Sequence, residues 1–135
     1  MAITHKYTLI CDDVRQENNG KLIVIGLYLP DIAAFQIPVL LPSLTFIQAL
    51  ESDRPGQWTF RMKLTHLESG HQVAEAMGAI NVAQPGLAVS VVKFGNVTFD
   101  RLGTYNMTLT IEEHREPILV SFNVILAPQP QQPKP

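Results

Sequence analysis

WTFRMKLTH, residues 58–66, alternates at every step: Trp58, Phe60, Met62 and Leu64 on one side, Thr59, Arg61, Lys63 and Thr65 on the other. Successive side chains of an extended strand point to opposite faces, so a period of two marks a strand with one buried and one wet face. Residues 104–112 (TYNMTLTIE) repeat the pattern with Tyr105, Met107, Leu109 and Ile111 inward. Residues 118–126 (ILVSFNVIL) do so with Ile118, Val120, Phe122, Val124 and Leu126. A polar EHREP turn joins these last two stretches, which makes them a hairpin.

Working outward, strands are expected at Ile3–Cys11, Lys21–Tyr28, Leu44–Glu51, Gln72–Val82 and Leu87–Phe94, with a short one at Val97–Phe99. DRPG at 53–56, LESG at 67–70 and QPG at 84–86 supply Gly or Pro where the chain reverses. No convincing helical period exists. About seven to nine short strands predict an all-β, single-domain antiparallel β-sandwich, immunoglobulin-like or C2-like, over residues 1–126. The tail 127–135 (APQPQQPKP) holds four of the ten prolines and predicts extended, disordered chain.

The composition narrows the function classes. Of 135 residues, 46% are apolar and only 16% charged, with a net charge of −2, so no basic stripe is present to displace phosphate counterions. Nucleic acid is therefore not an expected partner. No run reaches the ~18 apolar residues of a membrane span, and the start lacks the apolar core of a signal peptide. Membrane insertion is not expected. The single Cys11 sits in the apolar stretch YTLIC, where a thiol behaves as a small buried hydrophobe.

Residues 12–28 (DDVRQENNGKLIVIGLY) combine an acidic head with an apolar run. Asn19-Gly20 accepts the positive φ angles of a tight turn, so this is a hairpin. A three-residue loop would set Glu17 opposite Lys21, and a two-residue loop would set Asn18 there. Lys21–Tyr28 is apolar on both faces, which predicts a strand that is central or covered by another chain. Gly26 within it marks a bulge or a close backbone approach. Asp100–Tyr105 (DRLGTY) has the G-x-Y of a tyrosine corner through Gly103 and Tyr105, a structural device of sandwich strands.

The pattern C-D-D-V-R-x-E-x-x-G-K-L-x-x-x-G-x-Y at 11–28, followed later by G-T-Y, resembles an uncharacterised family of small bacterial and bacteriophage proteins. The resemblance spans about residues 5–126. It implies a one-domain β-sandwich in a bacterial or phage setting and brings no activity, substrate or cofactor.

No nucleophile elbow, P-loop or dinucleotide fingerprint is present, so catalytic residues and cofactors are not expected. His66 and His71 flank one turn without a third ligand, too little for a zinc site. The two segments 32–50 and 76–92 carry no charge at all. That is more apolar chain than a small sandwich conceals, and exposed apolar surface marks an interface. The expected function is a non-catalytic interaction or structural subunit, pairing with itself or another protein, in the cytoplasm or in a particle such as a virion. Its expected contacts are Phe35, Ile37, Val39, Leu40, Leu41, Phe46, Leu87, Val89 and Val91. The alternative is a small-ligand or calcium site on the end loops, using Asp12, Asp13, Asp31 and Trp58, although these acids lack the dense spacing that gathers oxygens round one ion.

Overall fold

A computed structural model describes residues 3–29 and 31–128. Nine strands follow one another: β1 (Ile3–Gln16), β2 (Leu22–Leu27), β3 (Ile32–Ala34), β4 (Val39–Ser52), β5 (Gly56–His66), β6 (Gln72–Val82), β7 (Gly86–Phe99), β8 (Gly103–Ile111) and β9 (Ile118–Leu126). They form a four-stranded sheet, β2-β1-β4-β7, and a five-stranded sheet, β3-β9-β8-β5-β6, which close over one core as a β-sandwich. Among the described residues no helix is long and apolar enough to cross a membrane.

The alternating stretches build the five-stranded sheet. Phe60 faces Ile111, Met62 faces Leu109 and Leu64 faces Met107 across β5 and β8, so their inward rows align. Phe46 of β4 meets Phe94 of the neighbouring β7 edge-on at 5.9 Å and, across the core, Phe122 of β9 at 6.1 Å. Tyr105 stacks on Phe122 at 5.8 Å and meets Phe99 edge-on at 5.0 Å. Its hydroxyl donates to the Arg101 carbonyl at 2.6 Å, pinning the loop before β8 back onto the strand. Beside it His66 is buried, its Nε2–H donating to the Leu102 carbonyl at 3.0 Å and its Nδ1 accepting from the Ser69 hydroxyl at 2.7 Å. Gly103 stands at φ 121°, where a β-carbon would press on that imidazole.

Several elements differ from expectation. β3 is a three-residue strand with no period to announce it, and it pairs parallel to β9 through Ile32–Val124 and Ala34–Leu126. The two pieces expected at 87–94 and 97–99 are one strand, β7, interrupted by Asn96 at φ 54°. The tail expected at 127–135 lies outside the described residues except for its first two, and Ala127 continues the β3 contact by donating to the Ala34 carbonyl at 2.7 Å. Of the two alternatives for Lys21–Tyr28, central or covered by another chain, the first is corrected. β2 is the edge of the four-stranded sheet, and Leu22, Ile23, Val24, Ile25 and Leu27 are all 39–46% exposed.

The hairpin loop has three residues. Glu17 N–H donates to the Lys21 carbonyl at 2.8 Å and Gly20 N–H to the Glu17 carbonyl at 3.0 Å, with Gly20 at φ 86°. Asn19 steadies the turn by accepting the Lys21 N–H at 3.0 Å.

Candidate functional site

A crease runs across the four-stranded sheet, through Gly26 of β2, Asp12 of β1, Ser43 of β4 and Gly95-Asn96 of β7. Gly26 at φ 68° and Asn96 at φ 54° lie on the two outer strands. Between them the Ser43 hydroxyl donates to the Asp12 carbonyl at 2.6 Å. The inward residues of β7 change phase here, from Val92 and Phe94 to Val97 and Phe99. A left-handed residue in a strand does this by turning the following side chains to the other face.

The acids of the first hairpin hold the crease together. The Asp12 carboxylate accepts the Tyr28 hydroxyl and lies directly over Gly26, in space that any β-carbon would fill. Burial, and then that hydrogen bond, push the Tyr28 phenol well above its usual range, so it remains a donor. Lys93 of β7 crosses the outer face to reach Asp13 Oδ1 at 3.1 Å and the Val14 carbonyl at 2.8 Å. Burial, then the charges of Asp12 and Asp13, raise the pKa of Cys11, whose thiol is fully enclosed.

Asp13 gives a test of this latch. The hydrogen bond from Lys93, and then the Val14 N–H, hold its carboxyl below the usual carboxylate range. A depressed acid contributes stability that is present above the unfolded value of about 4 and lost as pH falls through the folded one. The melting temperature of Asp13→Asn is therefore expected to lie below wild type at pH 6, with the gap closing toward pH 2. A gap independent of pH would show that Lys93 does not act on the charge.

On the β1 N-terminal side of the crease, cross-strand pairing defines what the sheet shows to solvent. Tyr7, Ala49 and Val89 share one row, Leu9, Ile47 and Val91 the next, and Leu27, Cys11, Thr45 and Lys93 a third. Glu51 and Leu87 form the row at the far end. These rows lie opposite the core, since Ile10, Phe46, Leu50 and Val92 take the inward positions. The outer face is thus apolar through its centre. It is framed by the Lys93–Asp13 pair at one end and by Lys6–Glu51, at 2.8 Å, at the other. Leu87 is 65% exposed, Val89 49% and Tyr7 49%, a cluster of exposed apolar side chains of the kind that marks an interface. The five-stranded sheet is more polar: its outer face carries Thr59, Arg61, Lys63, Asn106, Thr108 and Thr110, with Arg61 paired to Glu75 at 3.1 Å, and the exposed Met77 and Leu119 stand opposite Arg61 and Thr108.

Of the expected contacts, Leu87, Val89 and Val91 fall on this apolar face. Phe35 and Leu40 are exposed elsewhere, while Ile37, Val39 and Leu41 pack partly against the core. Phe46 is corrected: it is fully buried between the sheets, because β4 lies between β1 and β7 and its even-numbered residues point inward. The sequence reading passed over Tyr7, Leu9, Leu27 and Ile47. For Tyr7, Leu9 and Ile47 the signal was the alternation of β1 against β4, interrupted by the bulge between His5 and Tyr7, whereas Leu27 lies on β2, whose two faces are equally apolar.

The alternative ligand site is not assembled. Trp58 is buried under β5, Asp31 accepts from Asn123 of β9 at 3.2 Å, and Asp12 and Asp13 face separate partners. Among the described residues no three His, Cys, Asp or Glu side chains are grouped to hold an ion.

Comparison with solved structures shows the same fold in the crystal structure of the C-terminal domain of wzt, with a TM-score of 0.52 at 12% identity, covering 93% of this chain and 75% of that one. No curated protein matches the chain. A family model of unknown function, DUF6941, matches residues 6–124, and the chain belongs to that family.

Proposed function

We propose that the protein is a non-catalytic interaction subunit whose four-stranded sheet docks, by its outer face, on another protein surface. One observation carries this reading: a contiguous apolar face, rimmed by ion pairs, on a sheet whose other side already supplies the core. Apolar centres with polar rims are the anatomy of protein interfaces. A sheet face is flat and packs well against a second sheet ~10 Å away. The resemblance carried by the first hairpin favours a bacterial or phage assembly, such as a virion, as the setting.

The test substitutes the far end of the face, where both side chains are exposed and nothing in the core depends on them. Leu87→Glu with Val89→Glu is expected to keep the fold and melting temperature while weakening association at least about tenfold, through two charges placed in a desolvated contact. Sedimentation of the full chain, alone and with co-expressed neighbours of its gene, reads this. Unchanged association in the double variant overturns the docking face.

A further inference from the structure

We infer that two copies of this chain join through β2, edge to edge and antiparallel, so that two four-stranded sheets become one of eight strands. This rests on the interaction-subunit reading and names its first partner, a second copy.

An edge strand presents unpaired backbone N–H and C=O groups, and folded proteins normally guard such edges with charge, proline, brevity or cover. The four edges here differ sharply. β3 has three residues. β6 and β7, at the same side of the sandwich, lie against each other, and β7 is broken by Asn96. β2 differs among the described residues: LIVIGL has no charge and no proline, and its one left-handed residue, Gly26, lies near its end and leaves Leu22–Ile25 as a regular stretch in register with β1.

β2 is also built to stay in place. Among the described residues none of its side chains joins the core, yet it is held by the Asp12–Tyr28 hydrogen bond, by the fit of Asp12 over Gly26, and by the three-residue turn. An anchored strand that adds no side chain to the core, and leaves each of its apolar residues 39–46% exposed, is preorganised for pairing outside its own domain. The pairing partner that fits is the same strand. An antiparallel pair about a two-fold axis uses one edge twice, and β2 has no charge of its own to meet a like charge. Leu22, Val24 and their neighbours, half exposed on both faces, then cover their counterparts. The outer faces of the two copies become continuous and double the docking surface. The contact is small, near the lower end of specific interfaces, so the dimer is expected to form in the micromolar range.

The experiment is sedimentation of the full chain from about 1 to 500 µM, with two further readouts. Wild type is expected to pass from 15.0 kDa to twice that mass. Val24→Lys, at an exposed position, is expected to weaken the dimer at least about tenfold, and Val24→Thr to retain it. Amide exchange over residues 22–27 is expected to slow as concentration rises, which tests the pairing with no substitution at all. A monomer at every concentration, or exchange in 22–27 independent of concentration, overturns the inference. So does a dimer untouched by Val24→Lys but lost in Leu87→Glu/Val89→Glu, a result that leaves the docking face standing. A dimer lost in Val24→Lys and kept in the double variant supports the edge pairing even where the docking face fails.

Discussion

Phe46→Ala is expected to lower stability by about 4 kcal/mol, the usual range for removing a fully buried phenylalanine ring. For a chain of this size that moves the melting temperature down by roughly 10–20 °C. The size follows from position: Phe46 is fully buried, packed on Phe94 of the neighbouring strand β7 and on Phe122 of β9 in the facing sheet. The substitution also separates two roles that the sequence leaves together. A loss of melting temperature relative to wild type that is the same at every protein concentration shows a core residue. If Phe46→Ala only shifted the monomer–oligomer balance and left the monomer melting unchanged, the placement of β4 between β1 and β7 would be wrong.

Gly26→Ala is expected to cost about 3 kcal/mol from two sources. Holding a non-glycine residue at φ 68° costs about 1–2 kcal/mol. The new methyl also displaces the Asp12 carboxylate, and with it a hydrogen bond to a charged group, worth about 1.5–3 kcal/mol. The loss is local. Amides of residues 22–27 are expected to exchange faster while those of β5 and β8 hold. A cycle with Asp12→Ala isolates the clash, because the double variant, with the carboxylate gone, loses less than the sum of the singles. Additive losses, or a Gly26→Ala as stable as wild type, would show that Asp12 and Gly26 do not share that space.

The five-stranded sheet was legible because its strands obey a single period with one wet face. Thr59, Arg61 and Lys63 mark the solvent side as firmly as Phe60 and Met62 mark the core. The four-stranded sheet was harder for a physical reason. Leu44–Leu50 is buried on both faces, inward by the opposite sheet and outward by the side chains of β1 and β7. Phe35 and Leu40, a few residues away in the same charge-free segment, are open to water. Hydropathy alone cannot divide the two. β2 posed the same ambiguity, since a strand apolar on both faces can be central or can be a bare edge. Gly95-Asn96 marked an interruption, since a strand was expected on either side of it, but not that the chain runs through as one strand whose inward side changes at the left-handed Asn96. The first hairpin, by contrast, announced its turn through Asn19-Gly20 and a bulge or close approach at Gly26, but not that Asp12 fills the space over Gly26 and accepts the Tyr28 hydroxyl.

β9 lies between β3 and β8, although it is the last of the nine strands. Residues 32–34 therefore wait for 124–126, and a nascent polypeptide lacking Ile118–Leu126 has a gap in the interior of one layer rather than at its margin. Closure joins residues about ninety positions apart, in the slow regime of non-local β topologies, and a layer without its penultimate strand leaves greasy chain open to aggregation.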